Sequence, residues 1–187
     1  MTNIGTDAVE QVRVKVQALT RAGMKPYGDI LDADHPIFLE VDPGHGAVAM
    51  EFGTLRRNLS VRQTLDQMAV HGSYTQSFII LKGSMIMVFA PAAADLSVPI
   101  ESMEFDYNNV GAFAVAEGDI VHINRGVWHG AMVLNEACTF VNITRKDPGE
   151  GTTDSHEVDD ENIKYTREYI ELVNIRRRDK RQIVLEL

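Results

Sequence analysis

Two stretches of the chain carry polar side chains of the kinds that catalyse reactions, at or beside apolar runs typical of buried strands. The first stretch holds His71, Gln76 and Lys82, and the second holds His122 and His129. An imidazole changes its charge near neutral pH and also ligates metals, so it serves acid–base or metal chemistry. Two histidines in one pocket would therefore predict proton transfer or metal binding there, and Lys82 would offer a cationic contact to a substrate carboxylate.

A metal site would require the two stretches to come together. Such a site needs three or four nitrogen or oxygen donors on inward-facing positions. His71, Gln76 and His129 supply three donors, and none of them is anionic. We therefore expect them to hold a divalent ion less tightly than a set that includes a carboxylate. Each histidine taken alone would more often be a structural residue, and only their pairing favours a pocket.

Strands separated by tight turns are the elements that must position these residues. Val12, Val14 and Val16 alternate with polar neighbours, which predicts a strand with one buried face. From about residue 35 to about residue 145, apolar runs are separated by turns rich in Gly, Pro and Asn, a pattern typical of β-sandwiches and β-barrels. The sequence therefore predicts a mainly β domain with small helical additions at the termini. The mouth of such a barrel accommodates one small ligand.

The same pattern predicts finer elements. Residues 77–91 are predicted as two strands that meet at Lys82–Gly83, and residues 129–145 as a hairpin. Residues 146–162 are predicted as a polar, acidic loop. Residues 163–187 form a C-terminal segment with helical spacing in its first part, although its final run QIVLEL also fits a strand.

Length and charge limit the class of protein. The chain has 187 residues, a net charge of −9 and a pI of about 5.1, which suits a single domain over residues 1–187. An acidic surface argues against nucleic acid or an anionic membrane as the partner. The sequence contains no apolar run long enough to span a membrane, and its N-terminus lacks the features of a signal peptide. The cytoplasm is therefore the expected location.

The first polar stretch resembles the first motif of the cupin superfamily. That motif has two histidines flanking one residue, then a glutamate and a closing glycine at fixed spacing. Ala69 stands in the place of the first histidine, His71 is the second, Gln76 stands for the glutamate and Gly83 closes the frame.

The second polar stretch resembles the second cupin motif. Gly118, Asn124, Gly126 and His129 fill its places, with Asn124 where the motif has a proline. Two frames in the right order imply a cupin-type fold, a double-stranded β-helix barrel whose core spans about residues 35–145. Cupins host many functions, so the fold alone does not imply one activity.

A closer resemblance covers more of the chain. The segments PYGDIL, HGSYTQSFIILKG, RGVWHGAMV and TFVNITR, in this order, are similar to the ureidoglycolate lyase family, from about Tyr27 to Arg145. The chain departs from the family pattern before and after His71. Ala69 and Val70 stand where the family has glutamate and arginine, and Gly72 stands where it has proline.

This resemblance implies an activity and a set of roles. The family reaction cleaves ureidoglycolate to glyoxylate and urea, a step of allantoin degradation in purine metabolism. His71 and His129 would share the acid and base roles, with Lys82 completing the catalytic set. The remaining residues expected to contact substrate are Gln76, at the ureido group, Arg56 or Arg57, at the carboxylate, and His122 and Tyr74.

Cofactor, partners and rival functions follow from the same resemblance. A divalent metal (Mn, Ni, Fe or Zn) held by His71, Gln76 and His129 is the one cofactor it suggests, and a homodimer is the expected assembly. One rival is another metal-dependent cupin lyase, isomerase or decarboxylase acting on a small hydroxy or keto acid. The other rival is a non-catalytic cupin that binds a small acid.

Overall fold

The structure is a computed structural model of the chain that describes residues 9–40, 47–57, 63–133, 135–146 and 171–187. The predicted acidic loop at 146–162 lies outside the described residues except for its first residue. The beginning of the C-terminal segment, with its predicted helix, also lies largely outside them.

The described residues form twelve strands and two short α-helices, with two further 3-10 turns at Ile100–Ser102 and Tyr107–Asn109. In chain order the elements are β1 Glu10–Ala18, α1 Arg21–Met24, β2 Gly28–Ile30, β3 Ala47–Arg56, β4 Thr64–Leu65, β5 Gln67–Val70, β6 Gln76–Ala90, β7 Gly111–Ala116, β8 Ile120–Ile123, β9 Trp128–Met132, β10 Ala137–Lys146, β11 Glu171–Asn174, α2 Ile175–Asp179 and β12 Arg181–Glu186. The prediction of a mainly β domain with small helical additions is confirmed.

The long strand β6 joins two parts of a curled sheet. Its first half pairs with β8 and β10, and its second half pairs with β7 and β9. We call the strands β11, β5, β9, β6, β7 and the end of β1 the first sheet, and β3, β10, β6, β8 and β2 the second sheet. The beginning of β1 pairs with β12, which pairs with β4, and these strands form the third sheet.

The prediction of two strands meeting at Lys82–Gly83 is wrong, because β6 runs through this point as one strand. The pairing with β10 slips by one residue, so that Leu81 is left between the paired positions and forms a bulge. Gly83 follows with a φ of +83°, and a Cβ there would lie 2.4 Å from the carbonyl oxygen of Ala137. A glycine at this position lets the strand bend from the second sheet into the first without breaking.

The predicted hairpin over residues 129–145 is also wrong, although both of its strands exist. β9 pairs with β5 and with the second half of β6, whereas β10 pairs with β3 and with the first half of β6. The connection therefore crosses from one sheet to the other. The local sequence indicates two strands and a turn, but each of these strands pairs with strands that lie far away in the chain.

Two apolar cores lie between the three sheets. The inner core lies between the first and second sheets and includes Met87, Phe89, Ile123 and Phe140. The outer core lies between the first and third sheets and includes Trp128. Because successive residues of a strand point to opposite faces, β6 and β7 of the first sheet contribute to both cores. We call the region between the first and second sheets, which the inner core fills, the barrel interior.

The chain termini complete the outer core. Among the described residues of the C-terminal segment, 171–187, only Ile175–Asp179 is helical, and the strand reading of the final run is confirmed by β12, which pairs in parallel with β1. Ile183 and Leu185 are fully buried against the first sheet. Helix α1 begins after Thr20, whose hydroxyl accepts a hydrogen bond from the Gly23 amide, as expected for an N-cap. Neither α-helix of the described residues is long and apolar enough to cross a membrane.

Candidate active site

His129 projects into the barrel interior from the first sheet. It is the second residue of β9 and lies directly opposite Phe89 on β6 and Ala69 on β5. Directly opposed residues of neighbouring strands share a face of the sheet. Phe89 belongs to the inner core, so His129 shares the interior face with it. Only 6% of the His129 side chain is exposed.

The backbone fixes the protonation state of His129. Its Nδ1 lies 3.1 Å from the carbonyl oxygen of Val127, which can only accept a hydrogen bond, so Nδ1 carries the proton. Burial lowers the pKa of His129 to about 4, although the bond to Val127 acts in the opposite direction. At neutral pH the ring is therefore uncharged, and its Nε2 carries a lone pair that can accept a proton or ligate an ion.

His71 lies beside His129 and is held by Tyr74. The two imidazole rings have centroids 5.0 Å apart, and the Tyr74 ring stacks on His71 at 4.6 Å with an interplanar angle of 18°. The Tyr74 hydroxyl lies 2.9 Å from Nδ1 of His71. All three rings are buried. The phenol therefore fixes the orientation of the His71 ring.

The segment that carries His71 and Tyr74 is braced from both sides. The Gly126 amide donates to the carbonyl oxygen of His71 at 2.8 Å, and the Arg125 guanidinium donates to the carbonyl oxygen of Gly72. On the other side, the Thr75 amide donates to the carbonyl oxygen of Glu40. These bonds hold a turn that lacks the proline of the family pattern.

Arg145 places a positive charge next to the Tyr74 ring. It lies near the end of β10, and only 3% of it is exposed. Its guanidinium carbon is 5.6 Å from the centroid of the Tyr74 ring, and its Nη1 donates to the Ser73 hydroxyl at 2.9 Å. Reasoning from the sequence missed this residue, although it ends the run TFVNITR that carries part of the family resemblance. The signal available in the sequence was an arginine at the end of that run.

Gln76 supplies an acceptor on the facing sheet. It begins β6 and lies opposite Ile123 of the inner core, so it points towards the barrel interior. Its Nε2 donates to Oδ1 of Asn142 at 3.0 Å. Its Oε1 is buried and accepts no hydrogen bond from the described residues. A buried acceptor without a donor is costly, so a ligand N–H at this oxygen would be stabilised.

His122 lies on the opposite face of the second sheet from Gln76. It pairs with Ser77, whose hydroxyl is 2.8 Å from Nδ1 of His122. Burial lowers the pKa of His122, although nearby Asp29 and Glu40 act in the opposite direction. The residue lines a cavity of about 520 Å³ outside the barrel. The structure therefore does not bring His122 together with the other two histidines.

Lys82, Arg56 and Arg57 lie at the other end of the second sheet. Lys82 is six residues from Gln76 along β6, a distance of about 20 Å at the rise of an extended strand. Arg56 pairs with Ala137, next to the bulge of β6, and the Arg57 side chain is exposed beyond it. All three side chains are exposed to solvent. The structure thus separates them from His71 and His129.

The donor set is a poor fit for a tightly held divalent metal. In the part of the chain that the structure describes, no three His, Cys, Asp or Glu side chains lie close enough to hold an ion. His71, Gln76 and His129 would be the ligands, and all three are neutral donors. Ala69, directly opposite His129, contributes none. A site built from such donors binds a divalent ion weakly.

The arrangement combines the neutral imidazole of His129, a second imidazole held by a phenol, a buried guanidinium, and an amide oxygen that accepts no hydrogen bond from the described residues. It is suited to binding a small anion and to moving a proton between two of its atoms. These side chains are buried, and the lower dielectric of a protein interior strengthens each of these electrostatic contacts.

Solved structures similar to this chain include several of Bacillus subtilis oxalate decarboxylase. One concerns the Mn(II) centres of that enzyme, one its substrate binding mode and one the enzyme at pH 4.6; all have 14% identity and a TM-score of 0.38. The first two cover 56% of this chain and 23% of the decarboxylase, and the third covers 55% and 22%. This chain thus spans less than a quarter of that enzyme's length. No curated protein matches the sequence.

A family model gives the more informative match. The model described as ureidoglycolate lyase matches residues 11–164, a span that includes His71, His129 and Arg145. The match extends the resemblance seen in the short motifs over most of the chain. The protein therefore belongs to the ureidoglycolate lyase family.

Proposed function

We propose that the protein is a lyase that cleaves ureidoglycolate to glyoxylate and urea. The observation that carries the proposal is the buried contact between His71 and His129, with Arg145 close by, in a chain of the ureidoglycolate lyase family. The roles proposed below use only groups on this chain.

The reaction requires two proton movements at neighbouring atoms. The hydroxyl proton of the substrate leaves as its C–O bond becomes a carbonyl, and the C–N bond breaks as the ureido nitrogen takes a proton. A base near the hydroxyl and an acid near the nitrogen are therefore needed, both with suitable pKa values. No oxidation takes place, so no redox cofactor is required.

His129 is the base in this scheme. Its Nδ1 is committed to the Val127 carbonyl, and its low pKa keeps Nε2 unprotonated at neutral pH. Such a low pKa makes His129 a weak base, so the proton that it takes must be passed on within the same step.

His71 is the acid that serves the leaving nitrogen. The Tyr74 hydroxyl at its Nδ1 holds the ring in one orientation and can exchange a proton with it. Because the Tyr74 hydroxyl is at Nδ1, we assign delivery of the proton to the ureido group to Nε2.

Arg145 holds the substrate carboxylate. A guanidinium binds a carboxylate by two parallel hydrogen bonds, which fixes the orientation as well as the position of the anion. Lys82, Arg56 and Arg57 were expected in this role, but their distance from the histidines supports Arg145 instead.

Gln76 recognises the ureido group. Its buried Oε1 accepts a hydrogen bond from a ureido N–H, while the Asn142 side chain holds its Nε2. This contact would discriminate against substrates that lack an N–H at that place. A divalent metal, if the protein takes one, would be held by the neutral set of His71, Gln76 and His129 and would polarise the substrate oxygens.

We further propose that two copies of the chain associate through the outer face of the second sheet. On the edge strand β3, Val48, Met50 and Phe52 are 50%, 74% and 72% exposed. In the pairing register, Phe52 lies beside Val141 on β10 and Val141 beside Ile79 on β6, so one apolar patch spans three strands.

A second copy of the chain is the occupant that fits this apolar patch. The chain carries a net charge of −9, so most pairings of its surface would be repulsive, whereas this apolar patch can pair with itself about a two-fold axis. Ile183 and Leu185, near the C-terminus, do not need such a partner, because they are already buried within the chain.

The test of the lyase function is the release of glyoxylate and urea from ureidoglycolate by the purified protein. A panel of small hydroxy and keto acids, assayed for turnover and for ligand-induced thermal stabilisation, separates the rival functions. Stabilisation without turnover would favour a binding protein, and turnover of another acid would favour a different cupin enzyme.

A further inference from the structure

Strand β11, in the C-terminal segment, lies beyond the residues that the family model matches, yet it extends the sheet that carries His129. The family match ends at residue 164, whereas β11 begins at Glu171. β11 pairs antiparallel with β5, the strand that ends immediately before His71. This part of the chain therefore borders the candidate active site without being part of the family pattern.

Leu172, Ala69 and His129 form one row across the first sheet. Leu172 lies directly opposite Ala69, and Ala69 lies directly opposite His129. Opposed side chains on neighbouring strands share a face, with Cβ atoms about 5 Å apart. The adjacent residues Val173 and Val70 point to the other face, where both are buried in the outer core. Leu172 and Ala69 therefore lie on the interior face together with His129, and both are only partly buried.

The two side chains present only carbon atoms to the space beside His129. A hydroxyl or a charged group placed against them would lose water without gaining a hydrogen bond, which is costly. A methyl group placed there would instead be removed from water, which is favourable. The polar groups of the site, Gln76, His71 and Arg145, lie with the histidine pair or on the second sheet. The site is thus polar on one side and apolar on the other.

We propose that Ala69 and Leu172 form an apolar subsite that accepts a methyl-sized substituent on the substrate carbon that bears the hydroxyl, carboxylate and ureido groups. The inference rests on the proposed function and names its substrate class as 2-hydroxy-2-ureido acids with a small apolar side chain. For the methyl homologue, the hydroxyl proton leaves, the carbonyl forms as the C–N bond breaks, and the ureido nitrogen takes a proton. The products are pyruvate and urea, and no oxidant or other reactant is consumed.

The test compares the two 2-oxo acids that differ only by this methyl group. Glyoxylate and pyruvate are titrated into the full-length protein by calorimetry, first in the unaltered chain. We expect pyruvate to bind at least as tightly as glyoxylate. Leu172→Ala should weaken pyruvate binding by roughly tenfold, the scale of one small apolar contact, and leave glyoxylate binding within about twofold. Leu172→Phe should also weaken pyruvate binding, because the larger ring fills the subsite.

Val173→Ala is the matched control. Val173 neighbours Leu172 on the same strand but is buried in the outer core, so its truncation should lower Tm and leave the ratio of the two affinities unchanged. Glyoxylate binding that greatly exceeds pyruvate binding, or a ratio that Leu172 variants do not change, would overturn the subsite and leave the lyase proposal standing. Failure of both acids to bind would overturn the two proposals together.

Discussion

His71 and His129 occupy corresponding ends of two neighbouring strands, and their ring centroids lie 5.0 Å apart. β5 ends at Val70, immediately before His71, and β9 begins at Trp128, immediately before His129. The pairing of Ala69 with His129 fixes the register of the two strands. The first sheet therefore sets the separation of the two imidazoles, and the candidate chemistry depends on strand pairing.

The two histidines should be separately essential for activity. His71→Ala and His129→Ala should each lower kcat/KM by on the order of 10²-fold or more, the usual contribution of a positioned acid or base. Steady-state kinetics with ureidoglycolate measures this effect, and circular dichroism monitors folding. His35→Ala is the control, because His35 is exposed and contacts only Asp32 among the described side chains. An equal loss of activity in the control, or full activity in both site variants, would refute the assignment.

Arg145 should be the cation that binds the substrate carboxylate. Arg145→Lys keeps the charge but loses the two-pronged geometry, so KM should rise by roughly tenfold with a smaller change in kcat. Lys82→Ala should leave both constants unchanged, because Lys82 is exposed at the far end of the second sheet. The opposite result, with a raised KM only in Lys82→Ala, would assign the binding of the substrate carboxylate to Lys82, as first expected from the sequence.

The free energy of unfolding should fall as the pH is lowered below about 6.5. Burial lowers the pKa of His129 from 6.5 to about 4, so between these values the unfolded chain binds a proton that the folded chain does not. One such group contributes a slope of at most ~1.4 kcal/mol per pH unit. Burial shifts the pKa of His122 in the same direction.

Urea denaturation from pH 4 to pH 7.5 measures this dependence. His129→Gln removes one of the two groups, so its stability should depend less steeply on pH than that of the unaltered protein. If the free energies of unfolding of His129→Gln and of the unaltered protein change equally with pH over the whole range, His129 titrates at its ordinary value.

The apolar patch on the second sheet should hold a homodimer together. Light scattering should give about twice the 20.8 kDa mass of one chain, and Phe52→Glu should shift the mass to that of a single chain. Leu187→Glu is a matched control, since Leu187 is similarly exposed but lies at the C-terminus. A monomer in the unaltered protein, or a dimer that persists in Phe52→Glu, would contradict this interface.

The sequence predicted the mainly β fold because alternation and turn residues are local signals. The strand β1 and the final strand β12 both follow from patterns of a few residues. Strand pairing does not follow in this way. The bulge at Leu81 keeps β6 continuous where Lys82–Gly83 resembled a turn, because β10 continues to pair with β6 on both sides of that point.

The site was predictable where the motif spacing fixed it and not elsewhere. His71, Gln76 and His129 lie towards the barrel interior, as the two frames implied. The frames did not include Arg145, since the carboxyl end of β10 reaches Ser73 and Tyr74 only through the pairing of β10 with β6. Leu172 was beyond prediction because it is next to Ala69 only through strand pairing over a long separation in sequence.

The measurement that tests the central claim most directly is the product analysis of ureidoglycolate cleavage by the purified protein, with and without a chelator. We expect equal amounts of glyoxylate and urea to be released, at a rate that the chelator does not change, and no enzymatic release by His71→Ala or His129→Ala. No release from the unaltered protein, even after addition of Mn, Ni, Fe or Zn, would contradict the lyase function. Release that the chelator abolishes would instead show that a metal, and not the histidine pair alone, carries the reaction.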